Sequence, residues 1–158
     1  MERSASFEDL YRAERSRVLH AVAFTIGDRD LAAEVTDEAF ARAFERWASM
    51  SATGNPVGWV YRVALNLARN RFRRRSLERR RPGPIATATV VTDDPTDVAL
   101  AVALAALSIE HRSVVVLRYH LDWSVEEVAV ALDVAPGTVK SRLHRALAKL
   151  AELLEDEA

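Results

Sequence analysis

Residues 124–147 read SVEEVAVALDVAPGTVKSRLHRAL, and their capping residues and apolar positions predict the structure of the carboxy-terminal half. Ser124 followed by Glu127 forms a capping box that opens one helix, and Pro136 suits the first turn of the next helix. Two helices joined by a three-residue turn are the pattern of a helix-turn-helix. Glycine is usual in this turn, whereas Asp133 tolerates a left-handed backbone better than most residues do. We therefore predict a helix-turn-helix with a strained turn at Asp133.

The second helix of this pair has an apolar face and a polar face. Val139 and Leu143 anchor it on the first helix, in which Ala129 is small enough for a close crossing. The opposite face, near the amino-terminal end, carries Lys140, Ser141, His144 and Arg145. These side chains can donate to purine edges or phosphates, and a good base contact contributes about 1–3 kcal/mol. We interpret the helix as a DNA recognition helix; periodicity alone leaves open an ordinary helix pair with a polar outer face.

The amino-terminal half predicts three further helices with apolar stripes at helical spacing. Ser6 marks the start of the first helix, Gly27 ends it, and Asp28 caps the second. A polar loop spans residues 49–55, after which Pro56 begins the third helix. This half is therefore interpreted as a compact helical bundle that ends in an arginine-rich helix.

The composition changes between the two halves. Pro82-Gly83-Pro84 breaks any helix, and residues 86–96 are rich in Thr, Val, Asp and Pro without a helical period. We predict an all-α chain of two small helical domains, residues 1–78 and 97–158, joined by a flexible linker over residues 79–96.

The composition also excludes several classes of site. The chain has no cysteine, which removes disulfides, thiolate metal sites and cysteine nucleophiles. Its four histidines lie on different predicted elements, and no glycine-rich phosphate loop occurs. The start of the chain lacks an apolar signal core, and no apolar run reaches membrane-spanning length. We therefore expect a soluble cytoplasmic protein that is not an enzyme, with no cofactor, no metal and no membrane insertion.

Charge is segregated along the chain although the formal net charge is only −1. Nine arginines lie between Arg62 and Arg81 against the single acid Glu78, whereas residues 34–38 and 152–157 are acidic. This distribution indicates separate basic and acidic surfaces for different partners.

Two stretches together resemble one protein family. Residues 107–150, with Ala-Pro-Gly-Thr-Val-Lys-Ser-Arg-Leu-His-Arg-Ala-Leu at 135–147, look like region four of the extracytoplasmic-function (ECF) sigma factors. Residues 56–70, Pro-Val-Gly-Trp-Val-Tyr-Arg-Val-Ala-Leu-Asn-Leu-Ala-Arg-Asn, resemble region two of that family, and residues 34–40 are similar to its polymerase-docking acidic helix. The two resemblances cover nearly the whole chain in the right order.

The resemblance implies a sigma factor that binds core RNA polymerase and directs it to promoter DNA. Region two would bind polymerase and open the −10 element, and region four would read the −35 element. An anti-sigma factor is a further expected partner, and the chain is expected to be a monomer outside the holoenzyme. The rival interpretations are a stand-alone helix-turn-helix regulator and a sigma-like scaffold.

The resemblance also assigns roles to residues. In region four, Lys140, Ser141, His144 and Arg145 would read bases, while Thr138 and Arg142 would contact phosphates. The residues expected at the −10 element are Trp59, Tyr61, Arg62, Asn66, Arg69, Asn70 and Arg73. Those expected on core polymerase are Glu34, Asp37, Glu38 and Phe40.

Trp59 and Tyr61 are two positions apart on a helix and cannot share one face. If Trp59 joins the core stripe, Tyr61 is the more exposed and suits stacking on unpaired bases. The alternative is that both rings are core aromatics. Asn66 is expected at a flipped base with help from the loop 49–55, and the nearly unopposed arginines at phosphates.

Overall fold

The structure is a computed structural model that describes residues 2–50, 54–79 and 95–156. Within these ranges every regular element is helical, which confirms the all-α fold class. The helices are α1 Glu2–Ile26, α2 Arg29–Glu45, α3 Trp47–Met50, α4 Pro56–Arg79, α5 Pro95–Ala105, α6 Ile109–Val115, α7 Val125–Leu132 and α8 Pro136–Glu155. A π-helical turn, Val116–His120, continues α6. Most of the predicted flexible linker, residues 79–96, lies outside the described residues.

The amino-terminal unit packs α1, α2 and α4 around a shared apolar core. Gly27 ends α1 with a φ of 73°, and the Asp28 side chain accepts the Leu31 N–H at 2.9 Å, so both predicted helix boundaries are confirmed. The predicted start at Ser6 is wrong, because α1 already begins at Glu2. The first residues include no helix breaker, so a cap-forming residue does not by itself begin a helix.

The predicted loop between residues 49 and 55 is shorter than expected. The single turn α3 keeps the chain helical to Met50, and residues 51–53 lie outside the described residues. Asn55 then accepts the Gly58 N–H through its side-chain oxygen at 2.9 Å and so caps α4, which begins at Pro56 as predicted.

The carboxy-terminal unit contains the helix-turn-helix in α7 and α8. Both hydrogen bonds of the capping box form: Ser124 Oγ accepts the Glu127 N–H at 3.1 Å, and the Glu127 carboxylate accepts the Ser124 N–H at 3.3 Å. Asp133 ends α7 in the left-handed conformation, with φ 55° and ψ 50°. The predicted helix-turn-helix and its strained turn are therefore present.

The two units also pack against each other. Helices α1 and α4 contact α6, the π-helical turn and α7. This packing places the middle of α4, at Arg62, Asn66 and Arg69, and the helix-turn-helix on either side of one cleft.

Candidate nucleic-acid interface

Helix α8 separates its core residues from its predicted DNA-facing residues. Val139, Leu143 and Ala146 are buried against the other helices of the unit. The predicted base-reading residues all lie on the exposed side, namely Lys140, Ser141, His144 and Arg145. Thr138 and Arg142, predicted at phosphates, are partly buried beside them. The structure thus brings the whole predicted set together on one helix face.

The cationic side chains of this face have no acidic partner in the described part of the chain. Lys140, Arg142 and Arg145 form no ion pair there, whereas Lys149 at the far end of α8 lies 3.7 Å from Glu152. Helix α8 begins at Pro136, and the preceding Ala135 provides no side-chain cap. Pro136 has no N–H, and the N–H groups of Thr138 and Val139 donate to the Ala135 carbonyl at 3.0 and 3.2 Å, which leaves the Gly137 N–H for an outside acceptor. Unpaired cations and a helix amino terminus together form a surface suited to phosphate.

Helix α4 carries the residues predicted at the −10 element. Asn66, Asn70 and Arg73 are exposed, while Arg62 and Arg69 are partly buried. Asn66 and Asn70 therefore share an accessible face, as their spacing of one turn predicts. The ring of Trp59 is partly buried against the core, in line with its assignment to the apolar stripe.

The expected exposure of Tyr61 is wrong. Tyr61 is fully buried, and its hydroxyl lies 2.8 Å from Thr25 Oγ1 of α1. Burial raises the pKa of the Tyr61 hydroxyl, an effect that the neighbouring hydroxyls of Ser113 and Thr25 oppose. The physical reason is that this side of α4 meets α1 and α6 instead of solvent, so two faces of α4 are covered. The alternative that both aromatic rings belong to the core fits the structure better.

More of the α4 arginines are paired with acidic side chains than the sequence suggests. Arg69 lies 3.3 Å from Glu110 of α6, and Arg75 lies 3.6 Å from Asp28. Arg71 pairs with Glu34 and, at 2.8 Å, with Glu38. Acids of α6, of α2 and of the α2 N-cap therefore compensate these three arginines. Within the described residues Arg62, Arg73 and Arg74 form no ion pair. These three remain available to phosphates.

The acidic helix α2 presents its carboxylates at the surface. Glu34 and Asp37 are exposed, and Glu38 is partly exposed. Asp37 accepts two hydrogen bonds from the Arg15 guanidinium, at 2.9 and 3.1 Å, and this pairing raises the pKa of Arg15. Phe40 is only 1% exposed, so its ring packs mainly in the core, and its role as a polymerase contact stays a prediction.

The structure also shows an aromatic groove beside Asp37, which the sequence did not predict. Phe7 and Tyr11 of α1 and Phe44 of α2 line a shallow cleft of about 290 Å³. The Phe7 and Phe44 ring centroids are 5.1 Å apart, and Phe44 is 54% exposed. The four-residue spacing of Phe7 with Tyr11 was visible in the sequence, but such pairs are usually assigned to the core. We name this cleft the aromatic groove.

One polar cleft connects the two predicted DNA-binding units. It has a volume of about 610 Å³ and is lined by Arg62, Asn66 and Arg69 of α4 and, across from them, by Asp133 of the helix-turn-helix turn and Arg142 of α8. Residues predicted at the −10 and −35 elements therefore face each other across a single opening.

The described residues bring no three histidine or carboxylate side chains together in a group that could hold a metal ion. No helix among these residues is both long enough and apolar enough to cross a membrane.

Two family models match the chain, "Sigma-70 region 2" over residues 10–78 and "Sigma-70, region 4" over residues 97–150. The RNA polymerase sigma-E factor of Streptomyces antibioticus is 36% identical over 152 residues, covering 94% of this chain and 84% of that protein. The ECF RNA polymerase sigma factor SigL of Mycobacterium tuberculosis is 35% identical over 153 residues, covering 90% and 86% respectively.

Solved structures share the fold. The sigma factor RpoE from Bartonella quintana, in complex with the anti-sigma factor NepR, superposes with a TM-score of 0.74 at 23% identity, covering 94% of this chain and 98% of that one. CnrH, in complex with the cytosolic domain of CnrY, gives a TM-score of 0.72 at 22% identity, covering 98% and 91%. At these identities the likeness shows the fold alone.

A stand-alone helix-turn-helix regulator is not favoured, because that interpretation does not explain the match of residues 10–78 to region 2. Both regions match in order, and the two relatives that share about 35% of its residues over most of their length are RNA polymerase sigma factors. The chain therefore belongs to the ECF group of the sigma-70 family.

Proposed function

We propose that this sigma factor reads the −35 element with the exposed face of α8, opens the −10 element with the exposed face of α4, and docks on core polymerase through α2 and the aromatic groove. The observation that supports this most directly is the unpaired cationic face of α8, in which base-reading side chains alternate with buried anchors. Promoter recognition is then a property of the holoenzyme, and catalysis stays with the polymerase.

The −35 role is tested by Lys140→Ala and Arg145→Ala in run-off transcription with core polymerase. The template is a promoter selected with the unmodified holoenzyme, with an intact or a substituted −35 element. Loss of one base contact, about 1–3 kcal/mol, should reduce promoter use about 5- to 150-fold. A base-reading variant should also discriminate less between the two templates.

Lys149→Ala is the matched control, because Lys149 lies on the same helix but is paired with Glu152. Lys149→Ala should leave unchanged the ratio of transcription from the intact template to transcription from the substituted template. If the Lys140 and Arg145 variants keep the full preference for the intact −35 element, α8 does not read it.

The −10 role rests on the amide and guanidinium groups exposed along α4. Asn66→Ala should reduce the permanganate reactivity of unpaired thymines in the promoter complex, because an amide that contacts a flipped base stabilises the open strand. Leu77→Ala, which changes a 73% exposed side chain of the same helix with no proposed DNA contact, is the control for helix stability. Equal permanganate reactivity for Asn66→Ala and the unmodified protein would contradict the role of Asn66.

The docking surface combines the carboxylates of α2 with an exposed aromatic ring, a composition typical of protein interfaces. Phe44→Ala should weaken binding to core polymerase at least about tenfold, measured by competition with a labelled sigma factor. Glu45→Ala, the exposed neighbour on α2, should have little effect. Equal affinities for the two variants would exclude the aromatic groove from the interface.

An anti-sigma factor and a cytoplasmic location complete the proposal. Support for such a partner comes from the two structural neighbours, each solved with a bound partner chain. An apolar groove of about 580 Å³, with Leu100, Tyr119 and Leu147 exposed along it, offers a surface for such a partner. A protein that co-purifies with the unmodified chain should inhibit run-off transcription and should fail to inhibit the Leu147→Glu variant.

A further inference from the structure

The polar cleft between α4 and the helix-turn-helix contains cationic groups without an acidic partner. Its volume of about 610 Å³ lies within the range of about 300–1,000 Å³ that is usual for small-molecule sites. Arg62 of α4 and Arg142 of α8 line it, and neither forms an ion pair within the described residues. The third arginine of the cleft, Arg69, lies 3.3 Å from Glu110. Two guanidinium groups from separate helices therefore remain available to an anion in this cleft.

The position of these two guanidinium groups favours phosphate as the anion. Arg62 and Arg142 are both partly buried, so water screens their charges less than it screens the charge of a fully exposed arginine. A guanidinium donates two parallel hydrogen bonds to the oxygens of a phosphate group. A free phosphate ion would fill only a small part of the cleft, so the cleft has room for a larger phosphate-bearing molecule.

Apolar side chains form another part of the cleft wall. Leu65 of α4 is 3% exposed, and Leu132 and Val134, on either side of the turn residue Asp133, are partly buried. Apolar walls with a few polar groups are the usual lining of a site for an organic ligand. A molecule with a flat ring and a phosphate tail, such as a nucleotide, matches both parts of this lining.

Two polar side chains of the cleft are free to recognise a base. Asn66 and Asp133 are exposed, and their side chains form no hydrogen bond or ion pair within the described residues. A carboxylate only accepts hydrogen bonds and repels phosphate, so Asp133 requires N–H donors on the ligand. Guanine carries an amino group beside its ring N–H, and adenine lacks this pair of donors. Asp133 therefore favours guanine over adenine.

A buried hydroxyl in the same cleft also lacks a complete set of contacts. Ser113 of α6 lines the cleft and is 1% exposed. Its hydroxyl lies near the Tyr61 hydroxyl, but it forms no well-aligned hydrogen bond within the described residues. Because an unsatisfied buried hydroxyl costs free energy, Ser113 indicates that a further polar group binds here.

We infer that the polar cleft is a binding site for a guanine nucleotide with at least two phosphate groups. Arg62 and Arg142 bind the phosphates, Asp133 accepts the N–H groups of the base, and the apolar wall packs against the ring. The site belongs to the free chain, so nucleotide binding does not depend on the proposed function.

Isothermal titration calorimetry of the unmodified chain with GDP tests the site directly, with ADP and pyrophosphate as comparison ligands. GDP should bind at least about tenfold more tightly than either, because ADP lacks the donors for Asp133 and pyrophosphate lacks the ring. Absence of GDP binding would overturn the inference. Equal affinity for all three ligands would overturn it as well, since the cleft would then accept any phosphate-bearing anion.

Substitutions in the cleft separate its two contacts. Arg142→Ala should weaken GDP binding at least about tenfold through loss of a charged pair of hydrogen bonds. Lys149→Ala removes the same charge from α8 outside the cleft and should keep the affinity. Asp133→Asn retains a residue that tolerates the left-handed backbone, and it should reduce the preference for GDP over ADP at least about fivefold. An unchanged preference would show that Asp133 does not read the base.

Nuclear magnetic resonance locates the ligand without any substitution. Addition of GDP to the isotopically labelled unmodified chain should shift the backbone amide signals of Asn66, Asp133 and Val134. The signals of Phe7 and Phe44 in the aromatic groove should stay in place. Shifts that spare the cleft and occur elsewhere would overturn the inference even if GDP binds.

A consequence for transcription rests on the proposed function. Arg62, Asn66 and Arg142 are proposed DNA contacts, so a bound nucleotide and promoter DNA should exclude each other. Incubation of the subunit with saturating GDP should reduce run-off transcription at least about fivefold, whereas transcription directed by an unrelated sigma factor on the same core polymerase should not change. If GDP binds in the cleft and transcription is unaffected, the proposed DNA contacts of these residues are wrong and the nucleotide site stands.

Discussion

Replacing Arg112 by methionine should lower the free energy of unfolding by about 2–5 kcal/mol. Methionine retains much of the aliphatic volume of arginine but cannot donate a hydrogen bond. In the folded chain the guanidinium is almost fully buried and donates to the carbonyl oxygens of Thr25 and Leu107. The substitution therefore leaves two buried acceptors without donors.

The magnitude follows from the contacts that are lost. Each buried acceptor without a donor costs about 1–3 kcal/mol, so the two carbonyls together cost about 2–6 kcal/mol. Removing the cation from the end of α1 costs about 0.3–1 kcal/mol more. Burial lowers the pKa of Arg112, which means that the charged form is desolvated in the folded chain. Removing that charge returns part of the loss, so a net decrease of about 2–5 kcal/mol is expected.

Urea unfolding followed by far-ultraviolet circular dichroism measures this difference. Arg74→Met is the matched control, because Arg74 is exposed and unpaired within the described residues, and it should stay within about 0.5 kcal/mol of the unmodified protein. If Arg112→Met unfolds within about 1 kcal/mol of the unmodified protein, the two carbonyls do not depend on the guanidinium, and the reasoning about the buried Arg112 side chain is refuted.

Three further changes should alter stability in predictable directions. Asp133→Gly should raise the free energy of unfolding by about 0.5–1 kcal/mol in thermal unfolding, since glycine adopts the observed φ of 55° without strain. Asp156→Gly, at a φ of −67°, is the control and should give no gain. Ser124→Ala should lower the stability by about 1 kcal/mol through loss of the α7 cap, and Ser16→Ala on an exposed helical surface should not. Burial, His20 and Arg17 lower the pKa of His120 below its ordinary 6.5, so the folded state binds fewer protons than the unfolded state. Stability should therefore be complete above about pH 6.5 and fall as the pH drops through that value toward the folded pKa, and urea unfolding of His120→Gln should show a weaker dependence.

The features that the sequence predicted correctly depend on local chemistry. The caps at Asp28 and Ser124 and the left-handed turn at Asp133 each involve side chains within a few residues of the backbone they satisfy. The face of α8 was predictable for a similar reason, because one anchoring stripe fixes the exposed side of an amphipathic helix.

The features that the sequence did not predict depend on contacts between distant helices. Tyr61 is covered by α1 and α6, and Arg69 finds Glu110 in the other unit. Arg112 is buried although nothing in its neighbourhood along the chain distinguishes it from an exposed arginine. Helical periodicity assigns residues to faces, but it does not say which polar face will meet a second domain.

The residues that line the cleft have a double role, and this decides how their variants must be interpreted. Arg69 is a proposed phosphate contact and also pairs with Glu110 of α6, in the other unit. A change at Arg69 therefore removes a proposed DNA contact and an ion pair between the two units together. The pair is partly exposed and contributes about 0–1 kcal/mol, so loss of the DNA contact should dominate and transcription should fall. Glu110→Gln breaks the same ion pair but removes no proposed DNA contact, so it measures the effect of the ion pair alone. Promoter use that falls for the change at Arg69 and stays unchanged for Glu110→Gln would assign the loss to DNA binding, which a substitution at Arg69 by itself cannot do.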